Sequence, residues 1–131
     1  MDKSSGSSVL IIEDELLIAM DLEQMLQDLG FETSVLVSSC LQAEKWLAVH
    51  TPLFAVLDIR VRDGTSESIA HRLVNQGIPF IVSSGTGSGE DDAVFAHGIR
   101  VPKPCDVQHI ADALKALGVR DYASSLPSAT A

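Results

Sequence analysis

Residues 9–14 read Val-Leu-Ile-Ile-Glu-Asp, four consecutive apolar side chains closed by two carboxylates. A run that is apolar at every position fits a strand buried on both faces, as in a parallel sheet covered by helices. The same arrangement recurs downstream. Phe54-Ala55-Val56-Leu57 leads into Asp58, Phe80-Ile81-Val82 into Ser83-Ser84, and Ile99-Arg100-Val101-Pro102 into Lys103. If these runs are parallel strands of one sheet, their C-terminal ends meet at one edge, where open α/β sheets bind ligands. Glu13, Asp14, Asp58, Ser84 and Lys103 would then share a crevice.

Between the runs the period changes. Ile18, Leu22, Met25 and Leu29 form the stripe of an amphipathic helix over 15–29, with Gly30 as its stop. Residues 32–37 are a weaker strand. Ser39 with Gln42 fits a capping box opening a helix through Val49, and Thr51-Pro52 breaks it. Asp63-Gly64 marks a turn, residues 66–75 are helical in pattern, and Gly77 stops them. Residues 78–83 form the fourth strand. The glycine-rich stretch 85–90 reads as loop, and residues 90–97 have room for two helical turns. Pro102 lacks an amide donor, which places the fifth strand, 99–101, at the sheet edge. Asp106 caps a last helix through Leu117, ended by Gly118. The alternation predicts a flavodoxin-like (βα)5 doubly wound fold with helices on both faces.

A chain of 131 residues is one domain by length. We expect a flexible lead over 1–8, the domain over 9–119 and a loose Ser/Ala/Pro-rich tail over 120–131. The net charge of −9 argues against nucleic acid as a direct partner. No run approaches the roughly 20 apolar residues that span a bilayer, and the polar start has no apolar signal region, so a cytoplasmic protein without membrane contact is expected. Cys40 and Cys105 have neither metal-type spacing nor a disulfide framework, which fits a reducing compartment. His50, His71, His97 and His109 do not cluster and read as surface or packing residues.

The chemistry rests on the strand ends. Two or three carboxylates with water around them suit Mg²⁺, a hard cation that prefers oxygen ligands. Taken alone, Glu13-Asp14 could simply open a helix, where negative charge favours the N-terminal dipole. Asp58 is more telling: a half-buried carboxylate at a strand end is costly without a cation beside it. Held ionised there, it can attack phosphorus. Lys103 supplies a point charge with three donors for phosphate or carboxylate oxygens. Ser84 offers a hydroxyl, with Ser83 as its competitor for the site. Residues 85–89 lack the Gly-Lys-Ser/Thr that a phosphate-binding loop requires.

Across residues 9–117 this pattern resembles a response-regulator receiver domain, the phosphoacceptor half of two-component signalling. The resemblance rests on Glu13-Asp14, Asp58, Asp63-Gly64, the run 79–84 and Lys103-Pro104. It implies that Asp58 is the phosphoacceptor and that Glu13, Asp14 and Asp58 hold Mg²⁺ with the backbone carbonyl of Arg60. It makes Ser84 the switch hydroxyl, with Gly85 beside it and Lys103 binding the phosphoryl group. It further implies a cis Lys103-Pro104 bond and a strand order of 2-1-3-4-5. A histidine kinase or phosphotransfer protein would donate the phosphoryl group, and a protein effector of unknown identity would receive the signal.

Several departures stand out. Arg100 occupies a position where many receivers carry Tyr or Phe. The interval from Ser84 to Lys103 is short for a full fourth helix, which predicts a shortened, mobile one. The run Val82-Ser83-Ser84-Gly85 partly matches the single-domain subgroup named for a Phe-Ala-Thr-Gly motif. Arg60, at the mouth of the site, predicts slow loss of phosphate. Two other readings remain at this point. One is a degenerate receiver that docks partners without phosphorylation. The other is an aspartate-nucleophile phosphatase, which wants a second acid where Arg60 stands.

Overall fold

The computed structural model describes residues 8–84, without the Ser84 side chain, and 93–119. The elements run β1 (Ser8–Ile12), α1 (Leu16–Asp28), β2 (Thr33–Val37), α2 (Cys40–Leu47), β3 (Phe54–Asp58), β4 (Arg60–Val61), β5 (Gly64–Thr65), α3 (Glu67–Asn75), β6 (Phe80–Ser84), a 3₁₀ helix (Ala93–His97), β7 (Ile99–Pro102) and α4 (Val107–Leu117). Five strands form one parallel sheet in the order β2-β1-β3-β6-β7. Counting only sheet strands, this is the expected 2-1-3-4-5 order of a flavodoxin-like fold. The strand that ends in Pro102 lies at the sheet edge, as its missing donor predicts.

The continuous apolar runs do what their composition dictates. Leu10, Ile12, Ala55, Leu57, Phe80 and Val82 pack on one face against Ala43 and Leu47 of α2, Ile69 and Leu73 of α3, and Val94 and Phe95 of the 3₁₀ helix. Val9, Ile11, Phe54, Val56, Ile81 and Val101 pack on the other against Leu22 and Leu26 of α1 and Ile110 and Leu114 of α4. Alternation along each strand thus feeds two cores.

Caps fix the helix ends. Ser39 accepts from the Gln42 amide, but Gln42 Oε1 reaches back to the amide and hydroxyl of Ser38, not to Ser39. The expected capping box is therefore half formed, with its second arm one residue further back. Asp106 and His109 form a reciprocal box at α4. Gly118, at φ +80°, closes α4 while the Val119 amide bonds Leu114, a Schellman ending.

The structure differs from the sequence reading in three places. Ser8, placed in the lead, opens β1 opposite Thr33. The turn at Asp63-Gly64 belongs to a small antiparallel hairpin, β4–β5. Among the described residues, the fourth helix is short as expected, but it is a five-residue 3₁₀ segment rather than two α-helical turns, with Val94 and Phe95 buried. Residues 85–92, on which the expected mobility rests, lie outside the described residues, as do 1–7 and 120–131.

Gly98 closes the 3₁₀ segment directly over Phe80. A Cβ there would lie 2.6 Å from two ring carbons of Phe80 and 2.7 Å from its carbonyl oxygen. We expect Gly98→Ala to destabilise the fold by about 1–3 kcal/mol through overpacking. Urea denaturation measures it, and a midpoint equal to the parent's would contradict the contact.

Candidate functional site

The site forms where β1, β3 and β7 end. The Glu13 amide donates to the Val37 carbonyl at 3.0 Å, extending the β1–β2 ladder one residue and fixing the backbone beneath the carboxylate. The Glu13 side chain is 1% exposed. Its Oε2 accepts from the Glu15 amide at 3.1 Å. Its Oε1 lies 3.1 Å from Lys103 Nζ, an ion pair lacking hydrogen-bond direction, and among the described residues this oxygen accepts no hydrogen bond. Burial pushes the Glu13 carboxyl above its ordinary range, partly offset by the Glu15 amide; the Asp58 charge raises it further and Lys103 draws it back.

Asp58 ends β3, and its Oδ2 accepts from Lys103 Nζ at 2.7 Å. One ammonium therefore serves two carboxylates. Burial alone would lower the Lys103 pKa, but the hydrogen bond and charge of Asp58, joined by Glu13, lift it above the ordinary lysine value. Asp14, more open than Glu13, completes the group: one oxygen from each of Glu13, Asp14 and Asp58 falls within 4.8 Å of the others. Three carboxylates against one ammonium leave an uncompensated negative charge of two. That surplus, with a buried oxygen lacking a donor, fits a hard divalent cation.

Other expected residues take the following places. Arg60 is exposed on β4, opposite Thr65 in the hairpin. Arg100 is exposed on β7, paired in register with Val82. Ser83 is buried beside Asp58 in the ladder and lines a groove with Ile18, Leu22 and Lys103. The Ser84 backbone pairs with Pro102, while its side chain and Gly85 lie outside the described residues. The Lys103-Pro104 bond is cis.

The contacts of two residues near the site escaped sequence reasoning. Asp63, which reads as a turn residue, accepts from the amides of Cys40 and Leu41 at 2.8 and 3.1 Å. These amides hold its carboxyl below the usual range. The Cys40 thiol, pushed up to about 11 chiefly by burial and secondly by the Asp63 charge, donates to the Thr65 carbonyl at 3.3 Å. The hairpin is thereby tied to the start of α2. Ser66 is fully buried, and its hydroxyl donates to the Asp58 carbonyl at 2.6 Å. No local signal distinguishes either residue, because their partners are distant in sequence.

No protein-family model and no curated protein sequence matches the chain. Solved structures do. The solution structure of SdrG from Sphingomonas melonis Fr1 is 34% identical, with a TM-score of 0.76 over 86% of this chain and 97% of that one. The response regulator receiver domain (CheY-like) from Methylobacillus flagellatus is 19% identical, with a TM-score of 0.74 over 85% and 98% of the two chains. The receiver domain of the sensor histidine kinase PA1611 from Pseudomonas aeruginosa PAO1, solved with a magnesium ion coordinated in its active-site cleft, is 19% identical. Its TM-score is 0.73 over 86% of this chain and 97% of that one.

Proposed function

The chain belongs to the response-regulator receiver family, and from that premise we propose that it accepts a phosphoryl group on Asp58 from a histidine kinase or phosphotransfer protein and passes the signal on by protein contact. The observation that carries this reading is Lys103 Nζ held between Asp58 Oδ2 and Glu13 Oε1 inside a group of three carboxylates. Lys103 orients the Asp58 carboxylate through the 2.7 Å bond to its Oδ2. An anionic Asp58 oxygen attacks the donor's phosphorus, the bond from phosphorus to the donor breaks, and the donor leaves with its electron pair.

Glu13, Asp14 and Asp58, with the backbone carbonyl of Arg60, would hold Mg²⁺, which neutralises charge on the phosphoryl oxygens when bound. Lys103 meets the new acyl phosphate, and Ser84 with Gly85 beside it takes the switch position. Arg100 stands where many receivers carry Tyr or Phe, so no aromatic ring at that position couples to the switch hydroxyl. The protein acts as a phosphoacceptor rather than as an enzyme turning over other molecules. It works in the cytoplasm, away from nucleic acid and membrane, with residues 9–119 as the receiver. Among the described residues, no helix is long and apolar enough to cross a membrane.

Intact mass after exposure to acetyl phosphate, with and without Mg²⁺, tests the proposal. We expect a gain of one phosphoryl group that depends on Mg²⁺. No gain with acetyl phosphate or with a kinase donor would leave a docking module that works without phosphorylation. Arg60, exposed beside the acceptor, supplies a further expectation: its guanidinium hinders attacking water, so Arg60→Ala shortens the aspartyl-phosphate lifetime. An unchanged decay of the phosphorylated mass would remove that role.

A further inference from the structure

Ser66 stands directly before α3, where a serine ordinarily accepts a hydrogen bond from the first turn of its own helix. It does not do so here. Its backbone carbonyl receives the Ala70 amide at 3.0 Å, while its hydroxyl is turned away from the helix. That hydroxyl donates to the Asp58 carbonyl at 2.6 Å and lies 3.4 Å from the Ile59 carbonyl. The Ser66 amide donates to Ile59 at 2.8 Å. One fully buried residue thus closes the base of the loop that leaves β3, passes through the β4–β5 hairpin and enters α3.

The geometry has a direct bearing on the acceptor. Fixing the Asp58 carbonyl fixes the plane of the peptide that follows it, and so the direction in which Ile59 and Arg60 set out. The same bond limits rotation of the Asp58 backbone, from which the carboxylate projects toward Lys103. A capping bond stabilises its helix, and this serine forgoes it for a contact at the acceptor. Resting on the receiver reading above, we propose that Ser66 is a positioning residue: its hydroxyl holds the Asp58 backbone so that the carboxylate stays among Glu13, Asp14 and Lys103 and the Arg60 carbonyl faces the same crevice.

The test compares the parent with Ser66→Ala and Ser66→Thr. Mg²⁺ is titrated into unphosphorylated protein while the Asp58 and Arg60 amide resonances are followed, and acetyl phosphate uptake is timed separately. We expect Ser66→Ala to shift both resonances before any Mg²⁺ is added. It should weaken Mg²⁺ binding about tenfold, the scale at which a partner supporting a metal ligand acts, and slow phosphoryl uptake similarly. Ser66→Thr keeps the hydroxyl and should recover most of both. An alanine variant that melts earlier, yet matches the parent in Mg²⁺ affinity and in the Asp58 resonance, would reduce Ser66 to a packing residue. Should the threonine variant not fold, parent against Ser66→Ala decides alone. A parent that takes no phosphoryl group would overturn the receiver reading, and the resonances and Mg²⁺ titration would still decide on Ser66.

Discussion

Asp58→Ala takes up no phosphoryl group under conditions that load the parent fully. Asp58→Asn, which keeps the shape, fails equally, because the amide offers no anionic oxygen to attack phosphorus. The expected loss is complete rather than graded, since neither neighbour can substitute. Glu13 is 1% exposed, with one oxygen on the Glu15 amide and the other turned toward Lys103, so it presents no open oxygen to an incoming donor. Asp14 is more open but has no described contact with the Lys103 ammonium that pairs with Asp58. Intact mass of both variants beside the parent, with circular dichroism to show that they fold, makes the measurement. A phosphoryl gain in either variant would move the acceptor elsewhere, with Asp14 the first residue to examine.

That site was legible because strand ends are legible. An apolar run closed by a carboxylate or lysine states both where the strand stops and what it delivers, and Glu13, Asp58 and Lys103 come together as those runs predict. The edge position of β7 follows from Pro102 in the same way. Asp63 and Ser66 were illegible for a different reason. Each is a residue type at home in a turn or a cap, and each spends its side chain on backbone brought close only by folding: Asp63 on Cys40 and Leu41, Ser66 on Asp58. For the helix between β6 and β7 the sequence offers only a length, and length does not separate two α-helical turns from the 3₁₀ segment found.

Lys103→Met should cost stability on a scale that few other single changes here reach. The ammonium is the cation shared by Glu13 and Asp58, both largely withdrawn from water. Its removal leaves both carboxylates without their compensating cation and facing each other; an uncompensated buried charge costs about 3–5 kcal/mol. Because Lys103 and Asp58 retain some exposure, we expect about 3 kcal/mol, read by urea denaturation without Mg²⁺. Two further measurements identify the cause. Adding Glu13→Gln to Lys103→Met should recover much of the loss, since the repelling pair no longer exists. Mg²⁺ should stabilise Lys103→Met more than the parent, because a dication takes over the missing compensation. A single variant that unfolds with the parent's midpoint would show that Lys103 contributes packing and not charge.

The bond from Asp63 to the amides of Cys40 and Leu41 has a consequence for how the molecule breathes. A hairpin of two-residue strands would by itself open and close almost freely, and a helix would fray at its first turn independently. One carboxylate holding both makes these openings a single event, because lifting the hairpin strips the α2 terminus of its acceptor. The backbone on the acceptor's far side therefore borrows its persistence from a helix it does not belong to, and removing the Asp63 carboxylate is expected to speed the exchange of the Cys40 and Leu41 amide protons with solvent deuterium.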